Sequence, residues 1–137
     1  MKTFFDSSAF AKRYILEPGS TTVDLLCQQA TELGLCILCA PEIISALNRR
    51  VREGVLPPSD YSKAKGQLAA DVGSASIVQL TPNVIGTAVH LLETNALRAM
   101  DALHIAGAVE WGADLFVTAD RRQFTAAQKA NLKSQLL

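Results

Sequence analysis

The stretch KTFFDSS, residues 2–8, combines the two features that decide the fold of this chain. Its first half, Lys2–Phe5, is short and rich in residues that favour a strand. The polar run that follows begins with Asp6, whose side chain can accept hydrogen bonds from the free backbone N–H groups at a helix start. A buried strand that leads directly into a helix predicts a layered arrangement of strands and helices.

The same alternation continues along the rest of the chain. Further strands are predicted at 35–39, 76–80 and 114–118, and helices at 9–16, 20–33, 41–53, 57–72, 81–92, 100–111 and 125–130. Residues 132–137 are predicted to form a short edge strand. Strands that are separated by helices pair in parallel and are covered by helices on both faces. The sequence therefore predicts one domain, residues 1–137, with an α/β fold: three layers, α/β/α, around a mostly parallel sheet of four or five strands.

The composition limits the classes of protein to which the chain can belong. Its 137 residues are 49% hydrophobic and 19% charged, which is typical of a compact globular domain. Thirteen basic and 13 acidic residues give zero formal net charge, so any contact with nucleic acid must come from a local positive patch. An acid interrupts the N-terminal apolar run at position 6, and no apolar stretch approaches ~20 residues. We therefore expect a cytoplasmic protein with no signal peptide and no membrane segment.

The three cysteines, Cys27, Cys36 and Cys39, match neither a disulfide framework nor a zinc site. Cys36 and Cys39 both fall in the predicted strand 35–39, where residues three apart face opposite sides. We therefore interpret the cysteines as small buried apolar residues.

Three acidic residues follow three of the predicted strands. Asp6 follows the first strand, Glu42 begins a helix just after the second, and Asp120 follows the fourth. Because ligand sites of parallel sheets lie beyond the carboxyl ends of the strands, we expect these acids at one edge. Neighbouring carboxylates repel each other, so their convergence implies a bound cation, and oxygen ligands favour Mg²⁺ or Mn²⁺. Such a centre can activate water and hold a phosphate group.

Each acid also has a structural explanation when it is taken alone. Asp6 and Asp120 could serve only as helix N-caps, and Glu42 could act only on the helix dipole. Asp101 lies early in an apolar helix and could serve as an N-cap or act on the helix dipole. The hypothesis of a metal site therefore rests on the convergence of the acids and not on any one of them.

Five stretches together resemble the PIN-domain nucleases, and most closely the VapC-type toxins of bacterial toxin–antitoxin pairs. The stretches are FDSSA (5–9), EPGS (17–20), EIISAL (42–47), MDALHIA (100–106) and FVTADR (116–121). They occur in the order and at the spacings typical of that family. The resemblance covers essentially the whole chain and implies a PIN-like fold.

The resemblance also implies an activity and a set of residues that perform it. It implies a catalytic quartet of Asp6, Glu42, Asp101 and Asp120, of which we assign Asp6, Asp101 and Asp120 as metal ligands. It places a supporting hydroxyl, Thr118, near the metal, and Ser7 follows Asp6 as a second supporting group. The implied activity is Mg²⁺- or Mn²⁺-dependent endonucleolytic cleavage of RNA. The implied partners are a small antitoxin protein and a second copy of the chain in a homodimer.

Other polar residues have two open interpretations. His104 lies one helical turn after Asp101 and could ligate a metal, but its apolar neighbours favour a packed, hydrogen-bonded core histidine. Arg13, Arg98 and Arg121 could hold RNA phosphates or could be ordinary solvated charges.

Two rival functions also remain open at this stage. The first is a module that binds RNA or a protein without cutting. The second is a phosphotransfer domain with Asp6 as nucleophile, which is weakened because Ser8 stands where phosphatases of the haloacid-dehalogenase type have a second acid.

Overall fold

The computed structural model describes residues 1–137 and contains one five-stranded sheet in which every pair of neighbours is parallel. The strand order is β3-β2-β1-β4-β5. The strands are β1 (Lys2–Phe5), β2 (Glu32–Cys36), β3 (Ser76–Val78), β4 (Leu115–Thr118) and β5 (Ser134–Leu136). The helices are α1 (Ser7–Phe10), α2 (Ser20–Gln29), α3 (Cys39–Arg52), α4 (Pro58–Ser74), α5 (Pro82–Thr94), α6 (Ala99–Trp111) and α7 (Arg121–Lys129). The predicted fold class is confirmed.

The central strand β1 faces a separate hydrophobic core on each side of the sheet. Phe4 and Phe5 are fully buried, and neighbouring residues of a strand face opposite sides. Phe4 packs near Phe116 in a core that includes buried residues of α5, α6 and α7. Phe5 packs near Phe10 in a second core that includes buried residues of α1 to α4. The two cores give the three layers that the sequence predicts.

The second strand begins earlier than the sequence predicts, and Gly34 lies inside this strand instead of at the end of a helix. The prediction extended a helix to residue 33 and ended it at Gly34, whereas α2 ends at Gln29 and β2 runs through Gly34 to Cys36. Gly34 pairs with Phe4 and lies under the indole ring of Trp111, where a Cβ atom would come within 2.7 Å of the ring. The glycine is therefore required by packing and does not end a helix.

Several other predicted boundaries were also wrong by a few residues. The first helix is split into α1 and a short 3₁₀ turn, Ala11–Arg13, and α3 begins at Cys39 instead of Pro41. Cys36 therefore ends a strand and Cys39 begins a helix, and both are buried as expected, whereas Cys27 is only half-buried. The last helix begins at Arg121 instead of 125, because Asp120 caps it. The predicted edge strand is present as β5.

None of the helices has the combination of length and apolar character that crossing a membrane requires.

The packing of Trp111 on Gly34 predicts opposite effects for two glycine substitutions. We expect Gly34→Ala to lower the free energy of unfolding by about 1–3 kcal/mol, because the new methyl group overlaps the half-buried ring of Trp111. We expect Gly66→Ala, in an exposed and unobstructed part of α4, to raise it by about 0.4–1 kcal/mol. Urea unfolding of both variants measures the difference. Equal effects at the two positions would contradict this account of Gly34.

Burial also predicts the reactivity of the cysteines. Burial raises the pKa of the Cys39 thiol from 9.0 to about 12 and that of Cys27 to about 11. Because the thiolate is the reactive form, we expect iodoacetamide at a pH of about 8 to modify neither residue in the folded protein. All three cysteines should react in urea, and mass spectrometry counts the modified residues. Alkylation of Cys39 at the same rate with and without urea would show that the thiol is not buried in solution.

Candidate active site

The carboxylate of Asp6 is fully buried at the carboxyl end of the central strand. It caps α1 by accepting a hydrogen bond from the backbone N–H of Ala9 at 2.9 Å. The Ser8 hydroxyl lies 2.8 Å from both carboxylate oxygens, and the Thr118 hydroxyl donates to Oδ2 at 2.7 Å. Burial raises the pKa of Asp6, while the charge of His104 and these donors oppose that rise. The groups that donate hydrogen bonds to this acid are all neutral, and no side chain forms a salt bridge with it.

The hydroxyl groups that hold Asp6 also connect the first strand to the segment after β4. Thr118 accepts a hydrogen bond from the backbone N–H of Asp120 at 3.0 Å, and Ser8 accepts one from Ala119 at 3.0 Å. These contacts fix Asp120 directly beyond the strand end. Thr118 thus contacts both Asp6 and Asp120, and its supporting role beside a metal stays a prediction. The sequence analysis missed Ser8, because a serine in a first helical turn has an ordinary capping explanation.

Asp120 and Asp101 are connected through Gln123 in the first turn of α7. Asp120 caps this helix by accepting from the Gln123 backbone N–H at 3.0 Å, and Asp101 accepts from the Gln123 side-chain amide at 3.0 Å. Gln123 is 3% exposed, and its Oε1 atom has no hydrogen-bond partner. A buried polar atom without a partner is rare, so Gln123 leaves one acceptor free beside two acids. No motif or spacing singles out this residue in the sequence.

Asp101 also contacts the first residue before its own helix. Its Oδ2 atom accepts from the Arg98 backbone N–H at 3.4 Å and lies 3.7 Å from the Arg98 guanidinium. The Arg98 side chain is 83% exposed, so water screens this pair and leaves the cation free to contact other groups.

Glu42 belongs to a different cluster, formed with Ser7 and His104. Ser7 donates a hydrogen bond to Glu42 Oε1 at 2.7 Å, and His104 Nε2 contacts the same oxygen and lies 3.1 Å from the Ser7 hydroxyl. Burial raises the pKa of Glu42, but the hydrogen bond and charge of His104, together with Ser7, outweigh burial and lower it overall. Glu42 is therefore held in its ionised form.

His104 is a packed, hydrogen-bonded histidine, as its apolar neighbours indicate, but its partner is a member of the predicted quartet. It is 1% exposed, and its Nδ1 atom has no hydrogen-bond partner. The sequence predicts its burial but not this pairing, because the contact joins α3 to α6 across 62 residues.

The four predicted acids therefore lie in two hydrogen-bonded groups and not in one metal cage. Asp6, Asp120 and Asp101 are linked through hydroxyl, backbone and amide groups, and Glu42 is linked to Ser7 and His104. No three His, Cys, Asp or Glu side chains are arranged in the structure so that they could hold a metal ion together. The assignment of Asp6, Asp101 and Asp120 as ligands stays a prediction.

Arg13 does not lie at this edge of the sheet. Its guanidinium contacts Asp71 through Nε at 3.1 Å and Nη2 at 3.3 Å, and it contacts Asp24 through Nη1 at 3.2 Å. It lines a cavity with Glu32 and Ser76, which begin strands, whereas Asp6 follows the end of one. This geometry argues against a direct role for Arg13 beside the acids and gives it a structural role between helices. Arg121 is exposed and forms no salt bridge.

The fold and the site together define an α/β protein with three layers and a parallel sheet. Its candidate active site is the group of acids at the carboxyl edge of that sheet. The chain matches the family described as PIN domain over residues 3–129. It belongs to the PIN domain family.

Two relatives and two solved structures show the range of similarity. Ribonuclease VapC45 and Ribonuclease VapC49, each from a strain of Mycobacterium tuberculosis, are both 33% identical to the chain over 132 residues, which is 95% of this chain and 92% of each relative. The structure of Mycobacterium tuberculosis VapC20, described as a Sarcin-Ricin loop cleaving toxin, has a TM-score of 0.71 at 17% identity and covers 91% of this chain and 95% of that one. VapBC2 from Rickettsia felis, bound to a promoter DNA fragment, has a TM-score of 0.70 at 12% identity and covers 100% and 99%. At these identities the two structures support the fold alone.

The buried contact between His104 and Glu42 predicts a difference between the two histidines of the chain. We expect His104→Ala to lower the free energy of unfolding by about 1–3 kcal/mol, because it leaves Glu42 and Ser7 without a buried partner. His90→Ala removes an exposed side chain and should change stability by no more than about 0.5 kcal/mol. Chemical unfolding measures both variants. A small effect at both positions would contradict the burial of this contact.

Proposed function

We propose that the chain is a Mg²⁺- or Mn²⁺-dependent endoribonuclease that acts as the toxin of a toxin–antitoxin pair. The observation that carries the proposal is the buried Asp6 carboxylate, which hydroxyl groups hold at the centre of the sheet edge beside Asp120. A buried carboxylate whose hydrogen-bond donors are all neutral keeps its negative charge, which a metal ion would compensate. The two VapC ribonucleases at 33% identity support an RNA substrate.

The chemistry of the donor set fits a hard divalent cation. Asp6, Asp101 and Asp120 offer carboxylate oxygens, and Gln123 Oε1 is a buried amide oxygen without a partner. Oxygen atoms of these two kinds suit Mg²⁺ or Mn²⁺ and not zinc. When bound, such an ion lowers the pKa of a water molecule and offsets the charge of a phosphate group.

The residues around the acids prepare them for this role. Ser8 and Thr118 orient the Asp6 carboxylate, and Gln123 fixes the distance between α6 and α7 where Asp101 and Asp120 stand. His104 and Ser7 keep Glu42 ionised, so that its negative charge is available to a bound cation. Arg98 and Arg121 are exposed cations within three residues of Asp101 and Asp120, so they are our candidates for RNA phosphate contacts.

The remaining parts of the proposal concern the state of the protein in the cell. A small antitoxin is the proposed partner, because solved structures that share this fold include a toxin–antitoxin complex from Klebsiella pneumoniae. A homodimer is proposed because α5 leaves Ile85, Val89 and Leu92 exposed on one helical face, which a second copy of the chain would bury. We also propose a cytoplasmic location, where RNA is available and three free cysteines stay reduced, and a single domain that spans residues 1–137.

The nuclease proposal predicts metal-dependent cleavage that requires Asp6. The purified protein, free of partner, is incubated with a mixed RNA pool in Mg²⁺, Mn²⁺ or EDTA. We expect cleavage that EDTA abolishes and that Asp6→Asn lowers by at least about 100-fold, because the neutral amide removes the charge at the centre of the site. Asp60→Asn, the same change at an exposed acid of α4, should cleave like the unsubstituted protein.

A second measurement separates an inactive enzyme from a binding module. Mg²⁺ should raise the melting temperature of the unsubstituted protein and of Asp60→Asn but not that of Asp6→Asn, because a ligand stabilises only a state that binds it. Cation binding without cleavage of any RNA would favour a module that binds RNA or a protein without cutting. Cleavage that survives in EDTA or in Asp6→Asn would contradict the proposed site.

A further inference from the structure

A cleft of about 510 Å³ lies beside the candidate site, between α7 and the end of α5. Three basic side chains of α7 line it, and Thr94 and Asn95 line the opposite wall. The basic residues are Arg121, Arg122 and Lys129. A smaller cleft of about 220 Å³ shares Thr94, Asn95, Ala126 and Lys129 with it and is also lined by His90. The two clefts together form a groove along α7, which we call the α5–α7 groove.

The charge of the α5–α7 groove is not neutralised within the chain. No acidic side chain lines it, and none of its three cations takes part in a salt bridge. Lys129 donates to the backbone carbonyl of Thr94 at 3.2 Å, which leaves its charge uncompensated. The chain has zero formal net charge, so this patch is a local concentration and does not reflect the average composition. A groove lined by one sign of charge favours a ligand of the opposite sign.

The groove is connected to the candidate acids through the first turn of α7. Arg121 and Arg122 lie between Asp120, which caps the helix, and Gln123, which binds both Asp120 and Asp101. From Arg121 to Lys129 the helix rises by about 12 Å, so the cations follow a line that leads away from the acids. A polyanion with one segment at the acids would therefore place its next negative charges beside these cations.

The lining of the groove indicates which kind of polyanion it fits. The apolar residues of the larger cleft are Ala96 and Ala126, which are too small to anchor a peptide by burial. No Phe, Tyr or Trp side chain lines either cleft, and the His90 ring lines only the smaller one, so the larger cleft offers no platform for stacked bases. Arginine, lysine, threonine and asparagine are the side chains that contact phosphate and sugar groups. These properties fit the backbone of a nucleic acid and not its bases.

We infer that the α5–α7 groove binds the phosphate backbone of single-stranded RNA next to the segment at the acids. The inference rests on the proposed function, because it takes RNA as the substrate. It adds a binding track with no base preference, formed by Arg122 and Lys129 in addition to Arg121. Base discrimination, where it exists, must then come from elsewhere on the protein.

Binding of a short, fluorescently labelled single-stranded RNA tests the groove without cleavage. Anisotropy is measured in EDTA across a series of salt concentrations for Arg122→Gln/Lys129→Gln. We expect this double variant to bind at least about 10-fold more weakly and to lose about 0.7 per contact from the slope of log K against log salt. The loss should be the same for RNAs of different base composition. The charge-preserving variant Arg122→Lys/Lys129→Arg should retain most of the affinity, which excludes misfolding as the cause.

Arg49→Gln/Arg52→Gln is the matched control, because it removes the same charge from exposed positions in the last turn of α3. It should bind RNA like the unsubstituted protein. An equal loss in both double variants would overturn the inference, since any positive charge would then serve. Unchanged RNA binding by the groove variant would overturn the inference as well. If that variant instead lost binding to a poly-glutamate peptide, the groove would bind an acidic peptide and not RNA.

The outcome is separable from that of the proposed function. Cleavage that depends on Asp6 and metal, together with RNA binding that ignores Arg122 and Lys129, would leave the nuclease intact and remove the groove. RNA binding that depends on the groove, in a protein that never cleaves RNA, would support the groove and contradict the proposed nuclease.

Discussion

The burial of the Asp6 carboxylate at the end of β1 is the constraint on which the rest of the site depends. Strand β1 pairs with strands on both sides, and its pairing with β4 continues through the hydrogen bond from the Asp6 backbone N–H to Val117. The Asp6 side chain is buried at this strand end, so its hydrogen-bond partners must come from the protein. It obtains them from Ala9, Ser8 and Thr118, and the latter two hold the backbone of residues 119 and 120 as well.

The structural and the functional explanations of the acids apply together. Asp6 and Asp120 do cap helices, and Asp101 contacts the backbone at the start of its own helix. Capping uses one carboxylate oxygen to satisfy a free N–H group and thereby fixes the direction of the other. In a parallel sheet the helix starts and the strand ends meet at one edge, so capping acids are brought together there. A fold of this kind can place a set of acids with ordinary local interactions.

How far the sequence predicts this protein depends on the range of the interaction involved. The hydrophobic pattern is sufficient to predict the strands and most helices. The parallel topology is then sufficient to predict the edge of the sheet at which Asp6, Glu42 and Asp120 lie. The start of β2 was predicted wrongly because Gly34 is fixed by Trp111, a residue 77 positions away in the chain. The pairing of His104 with Glu42 and the bridge through Gln123 were not predicted for the same reason. The positions of helices relative to one another decide these contacts, and no local pattern encodes them.

Neutral groups stand between the acids at the carboxyl edge of the sheet. Four acids at one edge raise one another's pKa values when they face each other directly. In this structure a hydroxyl group stands between Asp6 and the backbone of Asp120, and an amide stands between Asp120 and Asp101. Glu42 is drawn to a histidine instead. Each acid thus has a partner that stabilises it without a cation, and the chain can fold before any metal binds. The same neutral groups link Asp6 to the backbone of Asp120, and Asp120 to Asp101, in one chain of hydrogen bonds, so the fold itself fixes where these charges lie.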